Sequence, residues 1–180
     1  MITNILETLR QSVNDANPGV FQNSFAGSYQ LDNGKVVVVD YQNEMQQVAL
    51  ADNLGNYFYL RTFGDAGISD TADRLTACNN KQFTFGARAV FVIKRGKLDL
   101  MLDTLVGDIV GNKGTIGNAT NVRCEPTGAI TNFEEIFTQE TQKPPRKMPN
   151  ATLLLIDFDI SFNWGPPQGD CLSRNFCDPC

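Results

Sequence analysis

The period of the hydrophobic positions changes several times along the chain, and each change marks an element. Ile2, Ile5, Leu6, Leu9 and Val13 recur at three- and four-residue spacing, which predicts an amphipathic helix over 2–14. Asn4 followed by Glu7 fits a capping box, and Asn14, Asn17, Pro18 and Gly19 end the helix. From Pro18 to Gly34 the chain is rich in Gly, Asn and Ser and reads as loop with short extended pieces. Lys35–Tyr41, with four consecutive valines, reads as a strand covered on both faces. Val48–Ala51 adds a short strand, and the aromatic-rich Tyr57–Phe63 another. Residues 64–80 hold few large apolar groups and read as an excursion from the core, with one helical turn around Thr71–Leu75.

Period two then takes over. Between Gln82 and Arg95, Phe83, Phe85, Ala87, Ala89, Phe91 and Ile93 fall on one face, and Thr84, Gly86, Arg88, Val90, Val92 and Lys94 on the other. Leu98–Val110 returns to helical spacing, with Leu98, Met101, Leu102, Leu105 and Ile109 as the buried stripe. Gly111, Asn112 and Gly114 end it. A short strand follows at Asn121–Glu125, then a brief helix at Asn132–Phe137 and a Pro-rich loop at 141–150. Thr152–Trp164 has the cleanest alternation. Ile156, Phe158, Ile160, Phe162 and Trp164 face one way, Asp157, Asp159, Ser161 and Asn163 the other. A strand with one polar face belongs in an antiparallel sheet that shows one side to water or to a polar partner. The expected fold is α+β: a mainly antiparallel sheet with two principal amphipathic helices packed on one face. It forms a single domain over 1–164, with the 64–80 loop excursion and a Cys-containing tail at 165–180.

Composition narrows the chemistry. The chain has 180 residues, 15 basic and 20 acidic, and a formal charge of -5, which argues against binding phosphate backbones as its main task. The run Lys143-Pro-Pro-Arg146-Lys147 is the local exception and reads as a solvated extended loop. No apolar run approaches bilayer length, so no membrane contact is expected, and no signal-peptide pattern opens the chain. A reducing cytoplasm is the expected place of assembly, which favours free thiols over bridges. The chain contains no histidine, which removes most nucleophile–base pairs, most catalytic zinc sites and the commonest general acid or base.

Five features are candidates for chemistry. Asp157 and Asp159 lie two apart on one strand face, with carboxyls about 6–7 Å apart, a spacing for a metal or an acid–base pair. A solvated or partner-facing sheet surface accounts for them without chemistry. Cys171, Cys177 and Cys180 form C-x5-C-x2-C, half of which is a metal-knuckle spacing. A closed zinc site would draw its fourth ligand from Cys78 or Cys124; free thiols are the simpler reading. Gly111–Gly117 matches no phosphate-loop pattern and reads as a plain loop. Ser24, Ser28, Ser69 and Ser173 lack a nucleophile-elbow context, and Asp99 and Asp103 read as a solvated helix face. No catalytic residue, cofactor or metal ligand is assigned.

The order of elements resembles a known family. It runs from the opening helix Thr3–Asn14 through Arg88–Lys94, Leu98–Val110 and Asn121–Glu125 to the ending Leu153–Phe162. Over residues 1–12 and 85–163 this looks like the tail-terminator and neck proteins of long-tailed bacteriophages. The likeness is one of element order and texture rather than of a motif. It implies a non-enzymatic α+β virion subunit that forms a ring with itself, commonly hexameric, assembled in the host cytoplasm. It implies contacts with tail-tube or sheath subunits and with head-connector proteins, and DNA only as the passing genome. Residues 64–80 and 165–180 lie outside the family's pattern. The readings set against it are a zinc-stabilised interaction module built on the terminal cysteines and a small metal-dependent hydrolase built on Asp157 and Asp159.

Overall fold

The computed structural model describes residues 2–26, 28–30, 36–38, 55–70, 81–94, 102–141 and 151–164. Helix α1 (Ile2–Ala16) opens the chain. Strands β1 (Asn23–Ala26), β2 (Ser28–Gln30), β3 (Val36–Val38), β4 (Tyr57–Asp70) and β5 (Lys81–Lys94) follow. Helix α2 (Leu102–Ile109), strands β6 (Gly111–Ile116) and β7 (Ala119–Ile130), helix α3 (Phe133–Thr141) and strand β8 (Ala151–Trp164) complete it. Six strands form one curled half-barrel sheet in the order β1-β4-β5-β8-β7-β6. All its pairs are antiparallel except β1 with β4, and β2 pairs with β3 separately.

The period-two strands fold as their pattern dictates. Phe85, Ala87, Ala89 and Phe91 of β5 and Ile156, Phe158, Ile160 and Phe162 of β8 form one buried face. The stripe Ile5, Leu6, Leu9, Val13 of α1 and Leu105 and Ile109 of α2 cover it. The helix α1 starts earlier than a capping box at Asn4 requires: Asn4 already lies inside it, and its carbonyl accepts from Thr8 Oγ1 at 2.9 Å. Glu7 pairs instead with Arg10. Asn17 closes the helix and ties it to α2, donating to Val13 O at 2.9 Å and Asp108 Oδ2 at 2.7 Å.

The expected two helices on one face are corrected to three helices on two faces. Residues 133–141 form a third helix of nine residues. Asn132 caps it, with its Oδ1 accepting from Glu134 N at 3.0 Å and Glu135 N at 3.4 Å. Its Ile136 and Phe137 pack on Tyr57, Tyr59, Val90, Val92, Leu153 and Leu155, the opposite face of the sheet. Burial of two such side chains contributes about 3–6 kcal/mol, which a nine-residue helix needs because it is marginal alone in water. The expected brief helix at Asn132–Phe137 stops short of Glu140, and the observed one runs on to Thr141.

Other expectations shift with it. The short extended pieces expected within the Pro18–Gly34 loop are β1 and β2. Residues 64–70 are not loop but the outer half of β4, and Gly111–Ile116 is strand β6 rather than loop. Strand β7 runs over twelve residues where Asn121–Glu125 was expected. Residues 39–54, 71–80, 95–101, 142–150 and 165–180, and with them Val48–Ala51, Thr71–Leu75, Asp99, the Lys143–Lys147 run and the tail, lie outside the described residues. Among the described residues no helix is long and apolar enough to cross a membrane.

Strand β4 carries a bulge. Thr62 pairs with Ala87 and Ala66 with Phe85, so Phe63, Gly64 and Asp65 face the single Gly86. A Cβ at Gly86 would lie 2.1 Å from Phe63 O, a backbone atom that cannot swing aside. Gly86→Ala should therefore cost about 1–3 kcal/mol in chemical denaturation. Gly107→Ala, in α2 with nothing within 4 Å of the added carbon, should raise stability by about 0.4–1 kcal/mol.

Candidate functional site

The face of the sheet that carries α3 divides into two zones. Under α3 it is apolar. Beyond α3 the residues facing outward on β4, β5 and β8 become Arg61, Arg88 and Asp157, which are register partners in one row across three strands. Two arginines directly opposite would repel each other. Glu140, from the last turn of α3, comes down between them. Its Oε1 accepts from Arg61 Nη2 at 2.6 Å and Arg88 Nη1 at 2.9 Å. Its Oε2 accepts from Tyr59 Oη at 2.7 Å and Arg61 Nε at 3.1 Å. Arg88 also grips Asp157 in bidentate fashion, Nε to Oδ1 at 2.6 Å and Nη2 to Oδ2 at 2.9 Å. The ring of Phe63, in the bulge, lies over the Arg88 guanidinium at 3.8 Å.

Two cations meet two anions here, and the charges balance. Arg88 is 3 % exposed and Glu140 2 %. Among the described residues no buried side-chain polar atom lacks a partner. Burial alone would raise the Glu140 carboxyl, but hydrogen bonds and charge from Arg61, joined by Tyr59 and Arg88, outweigh it and hold it below its ordinary value. Burial would likewise weaken the Arg88 charge, and the hydrogen bonds to Asp157 and Glu140 more than restore it. Burial, the Glu140 charge and the hydrogen bond to Glu140 push the Tyr59 hydroxyl well above its usual range.

Further along the same face lies an open groove of about 540 Å³. Strand β8 contributes Asp159, Ser161 and Asn163 to it, β5 contributes Gln82 and Thr84, and β7 contributes Asn121, Arg123 and Glu125. All eight side chains are polar.

The structure separates the two aspartates that share a strand face. Asp157 belongs to Arg88 and is closed to a metal or a substrate proton, whereas Asp159 lines the groove. An acid pair with a common target is not formed, which removes the geometric basis of the hydrolase reading. Cys124 points into the core at 1 % exposure as a free thiol, and burial pushes it up to about 11. It is closed to a zinc site shared with Cys171, Cys177 and Cys180, which like Cys78 lie outside the described residues. Among the described residues no three His, Cys, Asp or Glu side chains group closely enough to hold a metal ion. Ser24 is a structural tie, its Oγ accepting from Arg10 Nη1 at 2.7 Å and Asn14 Nδ2 at 2.6 Å. Ser28 and Ser69 lie in β2 and β4, Ser173 lies outside the described residues, and Asp103 sits exposed in the first turn of α2.

Sequence reasoning missed Arg61, Arg88, Glu140 and Tyr59 as a unit. One signal was present: Arg88 interrupts a strand whose neighbours on both faces are apolar, and a charge there demands a partner.

Removing one member strands the others in the interior. Arg88→Met should cost about 3–5 kcal/mol. The Glu140 contribution is full above the ordinary carboxylate value of about 4.3 and is lost as pH falls through the lowered folded value. Denaturation between pH 7 and pH 3 should show native stability falling below about pH 4. Glu140→Gln should be less stable at pH 7 and lose less on acidification. Cys124 should resist iodoacetamide at pH 8 in the native state and react once the protein is unfolded.

The chain matches no protein-family model and no curated protein sequence.

Proposed function

We propose that the chain is a non-enzymatic structural subunit that assembles with copies of itself, as a tail terminator or neighbouring neck component of a long-tailed bacteriophage. The observation that carries this reading is an apolar end of the sheet that no helix among the described residues covers. Strands β4, β5 and β8 each have 14 residues, a span of about 46 Å. The 15 residues of α1 span only about 22 Å and the nine of α3 about 14 Å. Past the helices, on the α1 face, Ile68 pairs in register with Phe83, and Phe83 stacks on Phe162 and meets Trp164 edge to face. Ile68 is 65 % exposed and Trp164 46 %. A cluster of large apolar groups left open at the end of a rigid sheet suits a protein contact.

The same contact repeated from subunit to subunit closes into a ring when the rotation closes. A hexameric ring of this kind would stand between tail tube and head connector, in the virion, with tube or sheath subunits on one side and connector proteins on the other. The order helix, strands, helix, two strands, helix, strand is compatible with the resemblance, and the formal charge of -5 suits a conduit that must not hold passing DNA.

Native mass measurement and imaging of the purified protein test this. A closed ring is expected. Replacing Ile68 and Trp164 together by serine should dissociate it and leave the monomer folded. A strictly monomeric wild type, absent from any tailed particle, overturns the reading.

A further inference from the structure

We propose that the polar groove beyond Arg88 binds a neutral, hydroxyl-rich ligand, an oligosaccharide laid across the strands. The groove is built from rows of register partners. Glu125, Asp159 and Gly86 make the first row, and Arg123, Ser161 and Thr84 the second. Gln82 and Asn163 make the third. Its volume of about 540 Å³ is that of a small-molecule site. In the neighbouring row every charge of Arg61, Arg88 and Asp157 is answered inside the protein. In the groove, by contrast, no side-chain hydrogen bond or ion pair engages any of the eight lining side chains among the described residues. Their donors and acceptors are all available to a ligand.

The kind of group present selects the ligand. No lining side chain is apolar, so a lipid or an aromatic molecule gains no burial there. Two carboxylates against one guanidinium disfavour phosphates and other anions. Glu125 and Asp159 stand directly opposite each other, an arrangement of like charges that strand pairing does not favour. A hydroxyl donates to a carboxylate and accepts from an amide or a guanidinium, and a sugar presents several hydroxyls in a row.

This binding is independent of ring formation and is measured on the full chain in whatever assembly it adopts. The probes are cellohexaose, maltohexaose, xylohexaose and chitohexaose, followed by calorimetric titration and by amide shifts in NMR. Saturable binding of at least one is expected, with shifts centred on Gln82, Thr84, Ser161 and Asn163. Asp159→Asn and Asn163→Ala should each weaken it by about tenfold or more with unchanged thermal melting. A sulfated form of the bound sugar should bind more weakly. Absence of binding by all four at millimolar concentration overturns the proposal, as does binding that both variants leave intact. Loss of the assembly in Asp159→Asn without any sugar binding would assign the groove to a protein neighbour and overturn it equally.

Discussion

Glu140 reaches from the last turn of α3 into the sheet, and its one carboxylate answers Arg61, Arg88 and Tyr59 together. Much of the fold follows from this bridge. It lets two arginines stand opposite each other on neighbouring strands, which like charges otherwise oppose. It fixes the end of a helix too short to persist alone, at a terminus where the backbone dipole disfavours a negative charge. Two guanidiniums outweigh that dipole. The bridge also marks a boundary: on one side of it the sheet face is apolar and covered, on the other polar and open.

How much of this could be read in advance depended on whether a strand kept its alternation. β5 and β8 pair in register over their whole length, and their faces are those that the period-two pattern assigns. β7 interrupts its pairing with β8 twice, between Thr120 and Arg123 and between Pro126 and Gly128. Each interruption adds one residue and reverses which positions face the core, so Ala119, Val122 and Cys124 are buried without a common period. No alternation survives such steps, and only the central piece of the strand was legible. The site suffered a related loss. Asp157 and Asp159 are equivalent by pattern, and only the partner opposite each one separates a locked carboxylate from an open one. Glu140 carried no signal because it follows the last apolar residue of the Phe133, Ile136, Phe137 stripe, where a carboxylate reads as a solvated helix end.

The two surfaces that carry the functional readings lie on opposite sides of the same long strands. The apolar end around Ile68 and Trp164 suits a neighbour of matching shape, and the polar groove suits a ligand that exchanges hydrogen bonds. A subunit built this way can sit in an assembly by one face and keep the other in contact with solvent.

The bulge at Phe63–Asp65 has a further meaning for how the protein can vary. Three residues stand where a regular ladder would have one, an excess of two, so the side chains of β4 keep their facing from one end to the other. Ile68 stays on the α1 face because of that even number. Lineages could therefore gain or lose residues here in pairs and keep the same surface, whereas a single insertion would transfer the apolar end of the hairpin to the groove side. The kink works as a parity-preserving joint, at which the outer hairpin can change length while the core beneath keeps its frame.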